Sequence, residues 1–599
     1  MTELGAEGLI VEGLRVPYYA GAMHYWRVPP ATWAACLRTM HGLGFTIVET
    51  PVPWRIHEPE AGDAAWDHER DLPAFIEAAR AAGLFVVLRV GPSVNAELPG
   101  YGVPDWVLEE PAVQAKTSRG TPAWLPTPPQ AFPLPSLASR AYHEHVRRWY
   151  AAVAKVVAPY LGETVVALGV DHAARLRRGA YDLDYHPDAL VWWDEHAPGV
   201  PAPREWAPAN ASVCARWIGF QDLYLARAMR LFREILDEVG FAGIATYHDA
   251  QLGQHASRSG FPDLRRRAQP IGFEVGLGLQ PWYPPLDSKD DPLRERDQVL
   301  SLLSQGMRGF DLAMAVEREQ HYGAAISVEG RLEAHAAWLK PLLATLQDLG
   351  WPALRRAVPI AVIATRADER YGLASCVIDP MTPVLAELLG LGAGGATELG
   401  RDPAAIASRK WRLAVCRALE LAQVPYMLVP ETTPVAELAA YRAVIVPTLD
   451  RLDHRVFASL NALAEAKRTI CVIGPVTPVR DELERPLPGP LAKRIGKLNL
   501  GSLEDLRGLA EDLVALAGEQ PETWHVERPD DVRTSVFVDA TDQARCVFVI
   551  NDSDRAVTAV VLAEGSSLQD AITGEIFAIT AGRAPLAIHA RGVRMFRIA

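Results

Sequence analysis

Seven apolar runs in the first part of the chain each lead into side chains that can do chemistry. The first runs into His24, Tyr25 and Trp26, the second into Glu49 with Trp54, His57 and Glu58 close behind, and the third into Arg89 with Asn95 and Glu97 after it. Asp171 and His172 follow the fourth run, and His248 and Asp249 the fifth. Glu274 ends the sixth with Trp282 and Tyr283 beyond it, and Glu317, Arg318 and Glu319 follow the last. Carboxylates mixed with indoles suit a sugar, because hydroxyl groups demand acceptors and the apolar ring face stacks on tryptophan. Other chemistries find less support. No glycine-rich phosphate loop is present, and the GLGAGG cluster at 390–395 follows a helical pattern rather than a strand, so it reads as a loop. His24, His172 and His248 show no local ligand spacing, and Cys36, Cys214, Cys376, Cys416, Cys471 and Cys546 form no CxxC pair. Buried free thiols are expected, with no metal and no cofactor.

For these residues to converge, the runs must be parallel strands whose carboxyl ends share one mouth. The runs YYAGAMHYW, FTIVETPVPW, LFVVLRVGPS, TVVALGVDH, GIATYHD, PIGFEVGLGL and GFDLAMAVE alternate with amphipathic helical patterns at 30–42, 72–82 and 217–240. That alternation marks β/α units, and in a closed (β/α)8 TIM barrel the reacting groups stand at the carboxyl ends of the strands. Eight strands are needed, and the gap falls between His248 and Pro270, so one strand is expected to be degenerate or absent. The proline-rich stretch 121–135 follows the third strand and reads as a surface loop near the mouth.

From about Arg356 the runs VPIAVIATR, VPYMLVP, YRAVIVP and RTICVIGP alternate with helices, as in a small doubly wound, flavodoxin-like α/β domain. After about Pro521 strands broken by turn signals predict a β-sandwich. The expected division is a barrel at 1–350, the α/β domain at 351–520 and the sandwich at 521–599.

Composition agrees with a globular protein of several domains: 599 residues, 49% hydrophobic and 22% charged. A net charge of -13 disfavours nucleic acid or an anionic membrane surface as partner and leaves a neutral sugar unaffected. The opening MTELGAEGLIVEGL lacks the features of a secretory signal, and no apolar run approaches the ~18 residues of a membrane span. A soluble, cytoplasmic protein is expected, with a homo-oligomer left open.

Two blocks, AGAMHYWRVPPATWAACLRTMHGLGFTIVETPVPWRIHEPEAG and LFVVLRVGPSVNAELPGYGVPDWVL, resemble the amino-terminal half of glycoside hydrolase family 35, the β-galactosidases, and more loosely family 42 of the same clan. AYDLDYHPDAL, GFEVGLGLQPWYPPL and GMRGFDLAMAVEREQHYG continue the likeness in order through 17–345. The resemblance implies a retaining mechanism: a carboxylate after one late strand attacks the anomeric carbon, and a glutamic acid after the fourth strand protonates the leaving oxygen, the two standing ~5 to 5.5 Å apart. Glu274 lies where the family's nucleophile lies. The family's fourth-strand Asn-Glu pair reads His172-Ala173 here, so the acid position carries a methyl group.

Pro51 and Ser93 also replace two family tyrosines that contact the sugar. The set expected to bind substrate is Tyr25, Glu49, Trp54, Arg89, Asn95, Glu97, His248, Trp282, Tyr283 and Glu317, with Arg89 alternatively a buried partner fixing Glu49 or Glu274. Asp171, His172, or a loop carboxylate such as Asp182 or Asp184, is a candidate replacement acid. The expected function is hydrolysis of β-linked, galactoside-like sugars with an unusual or missing general acid; the alternative is an inactive glycan-binding pseudo-glycosidase.

Overall fold

The computed structural model describes residues 1–5, 7–94, 96–127, 130–171, 184–205, 207–247, 273–276, 293–319, 321, 323–375, 403–498, 506–517, 523–529 and 531–599. Seven parallel strands form its first large sheet: β1 (Tyr19–Ala22), β2 (Ile47–Pro51), β3 (Phe85–Gly91), β4 (Val165–Val170), β5 (Ala245–Tyr247), β6 (Phe273–Gly276) and β7 (Phe310–Ala313). Their order is β5-β4-β3-β2-β1-β7-β6, so the last strands return to the far side of the first and the sheet curls as a barrel wall does. The stretch in which the sequence offers no convincing strand, between β5 and β6, lies outside the described residues.

The strands read as continuous apolar runs because both faces are covered: every residue of β2 and β4 is buried. Alternate residues serve different layers. Tyr19, Val48, Leu88 and Leu168 join residues of helices α1 (Pro30–Leu43), α2 (Leu72–Ala81) and α3 (Arg140–Val157) in one core. Ala20, Ile47, Val87 and Ala167 form a separate inner cluster with Leu9 and Val11 of a small amino-terminal sheet. Residues two places further on, Ala22, Glu49 and Arg89, continue the inner row toward the carboxyl ends.

Beyond the barrel, β8 (Ile360–Ala364), β9 (Tyr426–Pro430), β10 (Ala443–Thr448), β11 (Ile470–Pro475) and β12 (Gly496–Lys497) form a parallel sheet in the order β9-β8-β10-β11-β12. Ile360, Val362 and Ile445 pack under Trp411 and Leu513, while Ala361, Ile363 and Val444 pack under Phe457 and Leu460, so helices cover both faces. Residues 526–598 form two antiparallel sheets, one of six strands that includes Arg355–Arg356 and one of three. Val547 and Val549 of the first meet Val561 and Leu586 of the second between them.

The other face of the six-stranded sheet closes on the barrel. Trp351 lies 4.5 Å from Phe537 and 5.8 Å from Phe548, ring centre to ring centre, and its Nε1 donates to Met307 O at 2.9 Å. Trp351→Phe deletes that hydrogen bond and leaves a void, and is expected to cost about 1–3 kcal/mol, read as an earlier calorimetric transition. Among the described residues no helix is long and apolar enough to cross a membrane.

Candidate functional site

The inner row of the sheet carries a buried ion triad. Glu49 and Arg89 each sit two residues past an inward apolar residue, Ile47 and Val87, which places both on the same face of neighbouring strands. Arg89 Nε and Nη2 engage both oxygens of Glu49, and Nη2 also donates to Asp311 Oδ2 at 3.0 Å. None of the three side chains is more than 4% exposed. The pairing of Arg89 with Glu49 fits the alternative reading of Arg89, a buried partner for Glu49 or Glu274. Asp311 was not anticipated, although a charge inside the apolar run FDLA signals a partner, since a charge alone in a buried strand is prohibitively costly. Glu274 stands in register with Asp311 across β6 and β7, so its backbone is one strand away from the triad.

A second cluster lies where the loops after β1, β3 and β7 meet. Ala96 and Glu97 both have left-handed backbone, with φ of 40° and 52°. Arg318 Nη2 donates to Glu97 Oε2, Arg27 Nη1 lies 3.6 Å from that same oxygen, and Arg27 Nη2 donates to Ala96 O at 3.0 Å. Burial lowers the pKa of Arg27, opposed by Glu97 and Glu319. His24 stacks on Trp26 with ring centres 4.6 Å apart, and the Arg27 guanidinium lies 6.0 Å from the indole. Glu317, half-buried, precedes Arg318.

Several expected site residues stand elsewhere. Tyr25 and Trp54 are buried in the helix layer, at 0% and 1% exposure, and present no surface to a sugar. Tyr25 stacks on Phe75 and bonds through its hydroxyl to His57 Nε2; Trp54 stacks on Trp149 and donates to Glu58 at 2.6 Å. His57 Nδ1 lies 2.9 Å from Ala65 O, so this nitrogen carries the proton and Nε2 accepts from Tyr25. Burial pushes the His57 pKa down to about 4, keeping the ring neutral. Asp184 is a structural anchor rather than a loop acid: it accepts from Ser136 Oγ, from Tyr224 OH at 2.7 Å, and from the amides of Lys116 and His186.

Asp171 also departs from the expected position. The β3–β4 register shifts between Arg89 and Gly91, and Asp171 takes a φ of 52°, so the two-residue alternation ends before it. Its carboxyl accepts from Ser93 N at 2.9 Å and lies within electrostatic reach of Tyr142 and Tyr150 on α3. Asn95, His172, Ala173, Asp182, His248, Trp282 and Tyr283 lie outside the described residues.

Burial raises the Asp171 pKa from 3.8 to about 7, against the opposing Ser93 hydrogen bonds. The unfolded chain therefore releases this proton first as pH rises. Asp171 contributes stability that is present in full below about pH 4 and lost on the way to about pH 7. Asp171→Asn keeps an acceptor for Ser93 and cannot ionise. Its stability relative to wild type should rise across that window by roughly 2–4 kcal/mol, read from urea midpoints at several pH values.

Glu49, Arg89 and Glu97 all fall within the one segment that a family model recognises, residues 8–121, matched by glycosyl hydrolases family 35. Residues 8–121 carry the family 35 pattern. A Beta-galactosidase-1-like protein of Mus musculus is 38% identical over 136 residues, 22% of this chain and 21% of the relative. An Exo-beta-D-glucosaminidase of Pyrococcus horikoshii is 33% identical over 166 residues, 26% and 21% of the two chains. The chain thus spans about a fifth of the length of these curated relatives. The beta-galactosidase from Bacillus circulans sp. alkalophilus superposes with a TM-score of 0.70 over 98% of this chain and all of its own, at 14% identity. That likeness concerns the fold, which this family 35 segment and the residues after it share with a β-galactosidase. Residues 8–121 are thus similar to glycosyl hydrolases family 35, and the fold as a whole is similar to that of a β-galactosidase.

Proposed function

We propose that the barrel acts on β-linked, galactoside-like sugars by a retaining route with Glu274 as nucleophile and without the usual general acid. The observation that carries this reading is the register of Glu274 beside Asp311, next to a buried triad in which Arg89 already holds two carboxylates. In the first step the Glu274 carboxylate attacks the anomeric carbon, the bond to the leaving oxygen breaks, and a glycosyl ester forms. In the second, water attacks the same carbon and releases the sugar with its configuration retained. With alanine at position 173, departure of the aglycone depends on the leaving group's own acidity. The unit ending near residue 350 would bind the carbohydrate, with 351–520 and 521–599 as accessory domains.

A second reading, glycan binding without turnover, is favoured by one set of observations. Asp171 and Asp184, two carboxylates that sequence offers as substitute acids, are committed to backbone amides and buried hydroxyls. Assay of wild type against activated aryl β-galactosides and β-glucosides tests the first reading. Slow turnover that depends on Glu274 is expected. No turnover of any of these sugars, together with measurable glycan binding, would overturn the nucleophile assignment in favour of the second reading.

A further inference from the structure

We propose that Arg318, assisted by Arg27, is a positioning residue that clamps the Glu97 carboxylate as an acceptor for a sugar hydroxyl, an inference that rests on the barrel binding a carbohydrate. Arg318 is 2% exposed, with Nη1 donating to Glu319 O at 2.9 Å and Nη2 to Glu97 Oε2. Arg27 approaches from the loop after β1 and contacts both the Glu97 carboxylate and the carbonyl before it. The loops after β1, β3 and β7 are thereby joined through one carboxylate.

Two features separate this from an ordinary surface ion pair. The Glu97 side chain keeps 17% of its surface exposed, whereas that of Arg318 keeps 1%, so Glu97 is the member of the pair that meets solvent. Both arginines meet the same oxygen, Oε2, so two guanidinium groups from different loops converge on one atom of Glu97. Glu97 on a freely rotating side chain would lose rotamer freedom on binding. A buried guanidinium fork that holds it beforehand removes part of that cost, and Arg suits the task because its donors are planar and fixed.

The test combines kinetics with a double-mutant cycle on the full chain, using an aryl β-glycoside that wild type turns over, or calorimetric binding of the same sugar where turnover is too slow. Arg318→Met is expected to raise KM or Kd about 10-fold with kcat within about 2-fold, and Arg318→Lys to recover part of the loss. In a Glu97→Ala background, Arg318→Met should add no further loss, because the clamp then has nothing to hold. Thermal midpoints measured alongside separate binding from folding; if Arg318→Met does not fold, Arg318→Lys and Glu97→Ala carry the comparison. Unchanged KM in a folded Arg318 variant, or losses that add in the double variant, would overturn the clamp while leaving carbohydrate binding intact. A wild type that neither turns over nor binds any of the sugars would overturn both.

Discussion

Arg89→Met should destabilise the protein by about 3–5 kcal/mol, the largest loss expected from any single substitution considered. The guanidinium is the shared partner of Glu49 and Asp311, and all three groups are sealed inside the sheet. Methionine fills much of the volume but leaves two carboxylates facing each other in a poorly solvated space. Coulomb repulsion then adds to the desolvation that the arginine had offset. The loss should barely change between low and high salt, since buried pairs are screened far less than surface pairs such as Arg583–Glu527. Adding Glu49→Gln and Asp311→Asn to Arg89→Met should recover a large part of the stability, because the uncompensated charge is then gone. Urea unfolding of wild type, Arg89→Met and the triple variant measures this directly. A loss in Arg89→Met below about 1 kcal/mol would mean that water or another cation serves the carboxylates.

The parts of this fold that were legible in sequence share one physical property, burial on both faces. TVVALGVDH and LFVVLRVGPS announce themselves because a strand covered by helices outside and packed inside must be apolar throughout, and β3 and β4 fall there. The same logic says that an arginine within such a run needs an acid, and it leaves Glu49 and Glu274 both open as that acid. Tyr25 and Trp54 misled because an aromatic residue just past a strand end has two destinations. It can face the mouth or fold back onto the helices, and periodicity ends where that choice is made. Here the short turn Trp54–His57 carries the indole back onto Trp149, and the 3-10 turn Tyr25–Arg27 buries Tyr25 against Phe75. At Asp171 the register shift opposite Arg89 and the left-handed turn end the two-residue alternation of the strand, so periodicity gives no direction for this side chain. Asp311 and the Arg318–Glu97 pair join segments more than 200 residues apart, which no local pattern can reveal.

Glu274→Ala should lower kcat/KM toward activated aryl β-glycosides by a factor on the order of 10⁴ or more, since removing a covalent nucleophile deletes the step itself rather than a supporting contact. Wild type, with alanine at position 173, should already behave as an enzyme without its acid. Its rate should fall steeply as the leaving phenol becomes less acidic, and Ala173→Glu should flatten that dependence, gaining roughly 10²- to 10⁴-fold on the poorest leaving groups and little on the best. Added azide separates the two chemistries. On the proposed route, azide in wild type would attack the anomeric carbon of the glycosyl ester, displace the Glu274 carboxylate and yield a glycosyl azide of retained configuration. In Glu274→Ala it can only displace the aglycone directly, in one step, and yields the inverted anomer. Product anomers read by NMR therefore report which carboxylate forms the bond, independently of rate. Retained product from Glu274→Ala would show that another residue is the nucleophile. A flat leaving-group dependence in wild type would show that some group other than residue 173 supplies the proton.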